Sequence, residues 1–246
     1  MTQPVLPSVT FYDTLSVIYD AELERRAPWV RRVEELIAGW ATSRGANSVI
    51  DFGAGNGRRT LRLMQAANLA GTAIDVSPGM VDEARRLGVE AHVVDIASPS
   101  FDATAFGGRK FDLVICTWNV LGHLEGSRSR LQAVRNMGAV LAPGGAIVLD
   151  VNNRYNAAHY GWPAVLKNIA GDILHPGNAG DFIANRQDPQ GKTMHTFVHV
   201  FSRGELHRLC ADAGLAPVEE HYLDYDTGEA RTRWSGQMCF LIQARA

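Results

Sequence analysis

Three glycines fall on alternate positions in D-F-G-A-G-N-G, at Gly53, Gly55 and Gly57, directly behind the apolar run S-V-I. Glycine admits positive φ and lets a ligand approach the main chain closely. The loop joins the end of a strand to the start of a helix, the edge at which open α/β sheets bind ligands. A helix start adds free N–H groups and a partial positive charge. A polar or anionic ligand over residues 53–57 follows, because a turn built for packing alone needs one glycine rather than three. The spacing departs from the nicotinamide fingerprint G-x-G-x-x-G, since the third glycine comes one residue early.

Two further carboxylates extend the pattern. Asp75 closes the next strand in A-I-D-V-S, where an acidic residue can accept hydrogen bonds from both hydroxyls of a ribose. Asp95 closes the strand after that in V-V-D-I-A, placed for an adenine amino group with Ile96 against the ring. Solvated aspartates at strand ends are common, but these occur in order at successive strands and together outline an adenosine site. Asp51, at the base of the loop, either braces the turn or meets an ammonium.

These residues need a scaffold, and the periodicity supplies one. From Phe11 to about Trp40 apolar residues recur at helical spacing, with Pro28 opening a second helix at its first turn. Strands then alternate with helices: strands at 48–52, 71–76, 91–95, 111–117 and 146–151, helices at 58–67, 78–87 and 128–141. Ser77 is the N-cap of the second of those helices. Pro143-Gly144-Gly145 stops the third. The strands are nearly continuous apolar runs, as in a parallel sheet covered on both faces. From 152 to about 195 the pattern weakens into Gly, Asn, Pro and aromatic residues, and T-M-H-T-F-V-H-V-F then alternates like a strand. Residues 202–213 form a helix with an S-x-x-E capping box, Ser202 and Glu205. Two strands, 216–224 and 237–244, end the chain.

D-F-G-A-G-N-G, A-I-D-V-S-P-G-M, V-V-D-I, F-D-L-V-I-C-T-W and L-A-P-G-G together resemble the successive motifs of class I S-adenosylmethionine-dependent methyltransferases, over about 48–151. The resemblance implies a Rossmann-like doubly wound α/β sheet, mostly parallel, with an antiparallel C-terminal strand, helices on both faces and an inserted cap segment. It implies one domain over 1–246, divided into N-terminal helices (11–45), a cofactor core (46–151), a substrate-side insertion (152–200) and a C-terminal helix with strands (201–246). It implies S-adenosylmethionine as cofactor and S-adenosylhomocysteine as product. Gly53, Gly55 and Gly57 would pass under the methionine part, with Asp51, Ala54 and Asn56 beside them as cofactor-binding residues. Asp75, Val76 and Met80 would serve the ribose and its surroundings, and Asp95 and Ile96 the adenine. Thr117, Trp118 and Asn119 would line the transfer site. Tyr19, in a Tyr19-Asp20 pair like Tyr12-Asp13, resembles the Y-D pair of an N-terminal helix that folds over the cofactor.

The substrate is less marked. C-T-W-N-V-L-G-H replaces the N/D-P-P-Y/F/W of enzymes that methylate DNA bases or protein amides, and resembles small-molecule N- and O-methyltransferases. A hydroxyl acceptor benefits from a general base. His123 is the first candidate, with Tyr155 and His159 in the insertion as further ones; a cap or structural role is the alternative for His123. Five of the 8 histidines lie between 159 and 207, which suits a polar pocket or a metal, but carboxylates at ligand spacing are missing. No metal is expected, and the aromatic residues of 152–199 wall a pocket for an apolar or cationic substrate. F-S-R-G-E-L-H-R-L-C-A-D-A-G-L echoes small-molecule methyltransferases and also methyltransferases of modified tRNA uridines.

Composition sets the outer limits. The net charge of -2, from 24 basic and 26 acidic residues, offers no general field for nucleic acid or anionic membrane. A tRNA-modifying enzyme of the same fold and a non-catalytic cofactor-binding module remain as alternatives. The 3 cysteines form no C-x-x-C pair, the first residues lack the basic and apolar regions of a signal peptide, and no run reaches the roughly 18 apolar residues of a membrane span. A cytoplasmic protein is expected, and its oligomeric state is not legible.

Overall fold

The computed structural model describes residues 5–6, 24–174, 179–187, 190–191 and 193–245. The expected helix from Phe11, Tyr19 with its neighbouring acid, and His175 lie outside the described residues. In chain order the elements are β1 (Val5–Leu6), α1 (Ala27–Arg44), β2 (Ser48–Phe52), α2 (Arg58–Ala67), β3 (Ala70–Asp75), α3 (Pro78–Arg86), β4 (Glu90–Val93), β5 (Phe111–Cys116), a 3-10 turn (Val120–His123) and α4 (Ser127–Val140). They continue with β6 (Leu141–Val151), α5 (Ala157–Tyr160), α6 (Trp162–Leu174), β7 (Asp181–Gln187), β8 (Thr193–His199), α7 (Arg203–Asp212), β9 (Leu215–Leu223) and β10 (Gln237–Ala244).

Seven strands form one sheet in the order β4-β3-β2-β5-β6-β10-β9. Strands β2 to β6 run parallel, and β10 is antiparallel to both β6 and β9. The alternation of side chains along a strand divides the core in two. Ile50, Phe52, Val114, Cys116, Leu149 and Phe240 face α4 and α7. Val49, Leu113, Ile115, Val148, Cys239 and Leu241 face α1 and α2, meeting Trp29, Ile37 and Leu63. Asp51 and Asp150 occupy the same parity as this second set, so both carboxylates point to the α1–α2 side.

Local signals account for most boundaries. Pro28 stands in the first turn of α1, and Gly45 caps its end at φ +64. Ser77 Oγ accepts the Met80 N–H at the start of α3. Two boundaries and one cap differ from expectation. Helix α4 ends at Val140 and passes straight into an eleven-residue β6 that includes Pro143-Gly144-Gly145, because Leu141 already pairs with Phe111. Strand β4 ends at Val93, so Asp95 sits in the following loop. The capping box is half formed: Ser202 Oγ accepts the Glu205 N–H, while the Glu205 carboxylate is engaged by Arg154 and His199.

The insertion is more ordered than its composition suggests. It holds α6 and the antiparallel pair β7–β8, and β1 adds to β8 in parallel to give a second, three-stranded sheet. Among the described residues, no helix is long and apolar enough to cross a membrane.

Candidate active site

The loops after β2, β3, β4 and β5 open on one cleft at the carboxyl edge of the sheet. Gly53 lines it at φ +76; a Cβ there would lie 2.5 Å from Val120 Cγ1, so both backbone and packing demand glycine. Gly55 also lines it, and its N–H donates to Asp75 Oδ2 at 2.8 Å. The Ser77 N–H donates to Asp75 Oδ1 at 2.9 Å. Each carboxylate oxygen thus takes a backbone donor, the Val76 amide adds to them, and the carboxylate lines the cleft. Burial raises the Asp75 pKa, opposed by the Ser77 and Gly55 amides.

The far end of the cleft is an apolar slot with a polar edge. Val76, Met80, Val94, Ile96 and Leu124 form its walls, and Asp95 its rim. The Ala97 N–H donates to Asp95 Oδ1 at 2.9 Å. From α4, Asn136 Nδ2 donates to the carbonyls of Ile96 (2.9 Å) and Ser98 (3.0 Å), pinning this loop.

Gly57 and Asp51 act from behind the cleft. Gly57, at φ +74, precedes α2, and a Cβ on it would sit 2.6 Å from Ala84 Cβ of α3. Its glycine is required by the approach of two helices. The Asp51 carboxylate is buried and accepts two hydrogen bonds from Arg59 Nη2, at 2.9 Å to Oδ1 and 3.1 Å to Oδ2, and one from Thr60 Oγ1 at 2.8 Å. These bonds tie the base of the glycine loop to α2.

After β5 the chain makes an unusual turn. Trp118 (φ +66) and Asn119 (φ +55) are successive non-glycine residues in the left-handed region. Asp150, buried on β6, accepts the Trp118 N–H at 2.9 Å and the Asn119 N–H at 3.3 Å. Asn119 lies behind the cleft: its Oδ1 accepts the Asn152 N–H, and its Nδ2 donates to the His199 carbonyl. The Trp118 ring faces the cleft and packs edge-on against Trp29 at 5.2 Å. Its other side borders a smaller cleft under α1, shared with Ala54, Asn56, Arg59, Thr117 and Asp150. Trp29 Nε1 and Thr117 Oγ1 are buried there without a hydrogen-bond partner among the described residues. Buried donors of this kind call for a polar ligand group, and they adjoin the glycine loop.

The three candidate bases separate. His123 lines the main cleft, and its Nδ1 lies 3.2 Å from the Phe197 carbonyl. A carbonyl only accepts, so this contact is a hydrogen bond only in a tautomer with the proton on Nδ1. Tyr155 instead donates its hydroxyl to Asp172, lines a separate opening between α4 and α7, and has its pKa pushed up to about 12 by burial and that bond. His159 packs on Tyr160 and, through Tyr225, joins the Trp29–Trp118 aromatic cluster. Desolvation and Arg26 lower its pKa. His195 and His199 lie on one strand but have separate partners: Asn185 for the first, Asp181 and Glu205 for the second. Among the described residues, no three His, Cys, Asp or Glu side chains gather as a metal site.

Several contributors escaped the sequence reading. Val94 and Leu124 are apolar residues with no chemical signature. Asn136 is 40 residues from the loop it holds. Trp29 was legible as a helix-core residue, but not as a donor beside the glycine loop.

Known methyltransferases share the fold of this chain. Over 121 residues the chain is 33% identical to the ribosomal protein L11 methyltransferase of Sinorhizobium fredii, spanning 47% of this chain and 39% of that protein. The structure of the CcbJ methyltransferase of Streptomyces caelestis superposes with a TM-score of 0.68 at 18% identity, covering 97% of this chain and 99% of that one. The S-adenosylmethionine-bound amino pentose methyltransferase CalS10 of Micromonospora echinaspora superposes with a TM-score of 0.60 at 19% identity, covering 93% and 97%. At such identities the two structures share the fold. A family model described as a methyltransferase domain matches residues 19–220, most of the length, and the chain therefore belongs to the methyltransferase-domain family.

Proposed function

We propose that the protein transfers a methyl group from S-adenosylmethionine to a nitrogen or oxygen of a small-molecule metabolite, releasing S-adenosylhomocysteine. The observation that carries the reading is the Asp75 carboxylate, oriented by the Gly55 and Ser77 amides at the centre of a cleft with an apolar slot at one end. Two structural neighbours support it, being a small-sugar enzyme with this cofactor and an enzyme covering nearly the whole chain.

When bound, S-adenosylmethionine supplies a methyl group already activated on a sulfonium. The chain's own residues bind and orient. Asp75 accepts from the ribose hydroxyls. Met80, Val76 and Ile96 hold the adenine in the slot, with Asp95 accepting from its amino group. Gly53 and Gly55 admit the amino-acid end along the main chain. Ala54, Asn56, Thr117 and Trp29 receive it in the smaller cleft, where two donors lack partners among the described residues. Asp51, Gly57 and Asn119 shape the site from behind. Trp118 and the aromatic cluster exclude water on the substrate side. The His123 imidazole, which lines the cleft, takes the proton from a hydroxyl acceptor, while an amine that arrives neutral needs no base. Tyr155 and His159 belong to the substrate-side insertion, 152–200, which covers the 46–151 core within a single 1–246 unit. Three buried thiols without a disulfide fit a cytoplasmic enzyme.

The test is incubation with deuteriomethyl S-adenosylmethionine and a metabolite extract, read by mass spectrometry. A labelled small molecule is expected. Label confined to a tRNA or protein fraction would overturn the substrate class, and no label in any fraction would overturn the catalytic reading.

A further inference from the structure

Two successive left-handed residues that are not glycine do not hold themselves in place. Each such residue costs roughly 1–2 kcal/mol against its right-handed form. At Trp118 and Asn119 the conformation turns two consecutive N–H groups to one side, a concavity that binds an anion. The anion is the chain's own Asp150, with Oδ2 on the first N–H and Oδ1 on the second. The Trp118 indole, carried by this turn, borders both the main cleft and the smaller one.

We propose that Asp150 is a positioning residue: its carboxylate clamps the Trp118–Asn119 turn and thereby sets the indole between the cofactor and substrate sides of the cleft. Only the ionised carboxylate can do this. A protonated acid, or an asparagine amide, keeps one good acceptor and turns a donor toward the second N–H. Aspartate is thus retained at a fully enclosed site where an apolar residue would be more stable.

The surroundings make the clamp sensitive to pH. Burial pushes the Asp150 pKa up to about 7, opposed by the Trp118 amide, Arg59 and the Asn119 amide. Arg59 approaches from α2, where it also pairs with Asp51. Cys239 is directly opposite on β10, and Cys116 on β5, whose side chain points to the other face of the sheet, feels the carboxylate only through space. Burial pushes both thiols above their ordinary value, so they stay neutral near pH 7.

One arm of the test needs no cofactor. The backbone amide shifts and exchange rates of Trp118 and Asn119 are followed by NMR from pH 5.5 to 8.5 in the free protein. Both are expected to titrate near pH 7 in the wild type and to be flat in Asp150→Asn. The second arm rests on the cofactor reading above: calorimetry with S-adenosylhomocysteine at pH 8. Loss of one or two charge-assisted hydrogen bonds weakens binding roughly ten- to a hundredfold in Asp150→Asn. Wild-type affinity should converge on that of the variant as the pH falls below 7. A variant with wild-type affinity, or wild-type amides that do not titrate, would overturn the clamp. If Asp150→Asn fails to fold, the wild-type titration decides alone. If the wild type does not bind S-adenosylhomocysteine at all, the cofactor reading fails while the amide titration still decides the clamp.

Discussion

Replacing Gly57 by alanine separates a glycine that shapes the scaffold from one that admits a ligand. The residue stands at φ +74, and the added Cβ would lie 2.6 Å from Ala84 Cβ and 3.1 Å from Ala84 Cα. The left-handed backbone costs an L-residue roughly 1–2 kcal/mol. Overpacking of this kind adds about 1–3 kcal/mol, and the contact is stiff because one of the two atoms is backbone. A loss near 3 kcal/mol follows, seen as a melting point lower by about 6–12 °C for a domain of this size. Urea unfolding followed by circular dichroism measures it. Ala84→Gly removes the opposing methyl at a helix-propensity cost of about 1 kcal/mol, so the double variant should recover part of the overpacking and none of the backbone strain. Such non-additivity is the signature of direct contact. Because Gly57 is behind the cleft, the folded variant should bind S-adenosylhomocysteine nearly as well as the wild type. A variant of unchanged stability that loses binding would refute the assignment of Gly57 to helix packing.

Further outcomes follow from the charges and the base. Arg59→Met strands the buried Asp51 carboxylate and should cost about 3–5 kcal/mol in urea unfolding; a loss below 1 kcal/mol would contradict the bracing role. The folded-state pKa of Asp150, about 7, lies above the ordinary 3.8, so the folded protein holds that proton more tightly. The resulting stability is present below 3.8 and lost as pH rises through about 7, amounting to about 4 kcal/mol above it. Asp150→Asn escapes that loss and should unfold at higher urea than the wild type at pH 8; a lower midpoint there would contradict the sign. His123→Ala should reduce turnover of a hydroxyl substrate roughly 10²- to 10⁴-fold with cofactor affinity kept. An unchanged rate would leave His123 a structural contact to Phe197.

What was legible in the sequence followed from short-range chemistry. The parallel sheet could be read because each buried strand is an apolar run punctuated by a turn or cap, as at Ser77. Asp75 and Asp95 could be read because a strand places its last carboxylate at the ligand edge, although the loop after Val93 carries Asp95 past the strand itself. Residues brought from afar could not. Asn136 reaches the Asp95 loop from α4, and Asp150 reaches the Trp118 turn from the neighbouring strand. Asn tolerates a positive φ, but nothing in Trp118 announces that it would share one. Tyr155 was named for its hydroxyl, but Asp172, 17 residues on, claims it. The order within 152–195 was hidden because α6 and β7 are flanked by Gly, Asn and Pro, and because their partner β8 comes later in the chain.

The most direct test of the central claim is calorimetry of the wild type and Asp75→Ala with S-adenosylmethionine, with NAD as the control ligand. Asp75 is held by the Gly55 and Ser77 amides and lines the cleft. Losing two ribose hydrogen bonds to a charged group costs roughly 3 kcal/mol or more, about a hundredfold in affinity. The account predicts one S-adenosylmethionine per chain on the wild type, binding at least a hundredfold weaker in Asp75→Ala, and no measurable NAD binding. Tight NAD binding without S-adenosylmethionine binding, or an Asp75→Ala affinity equal to that of the wild type, would contradict it.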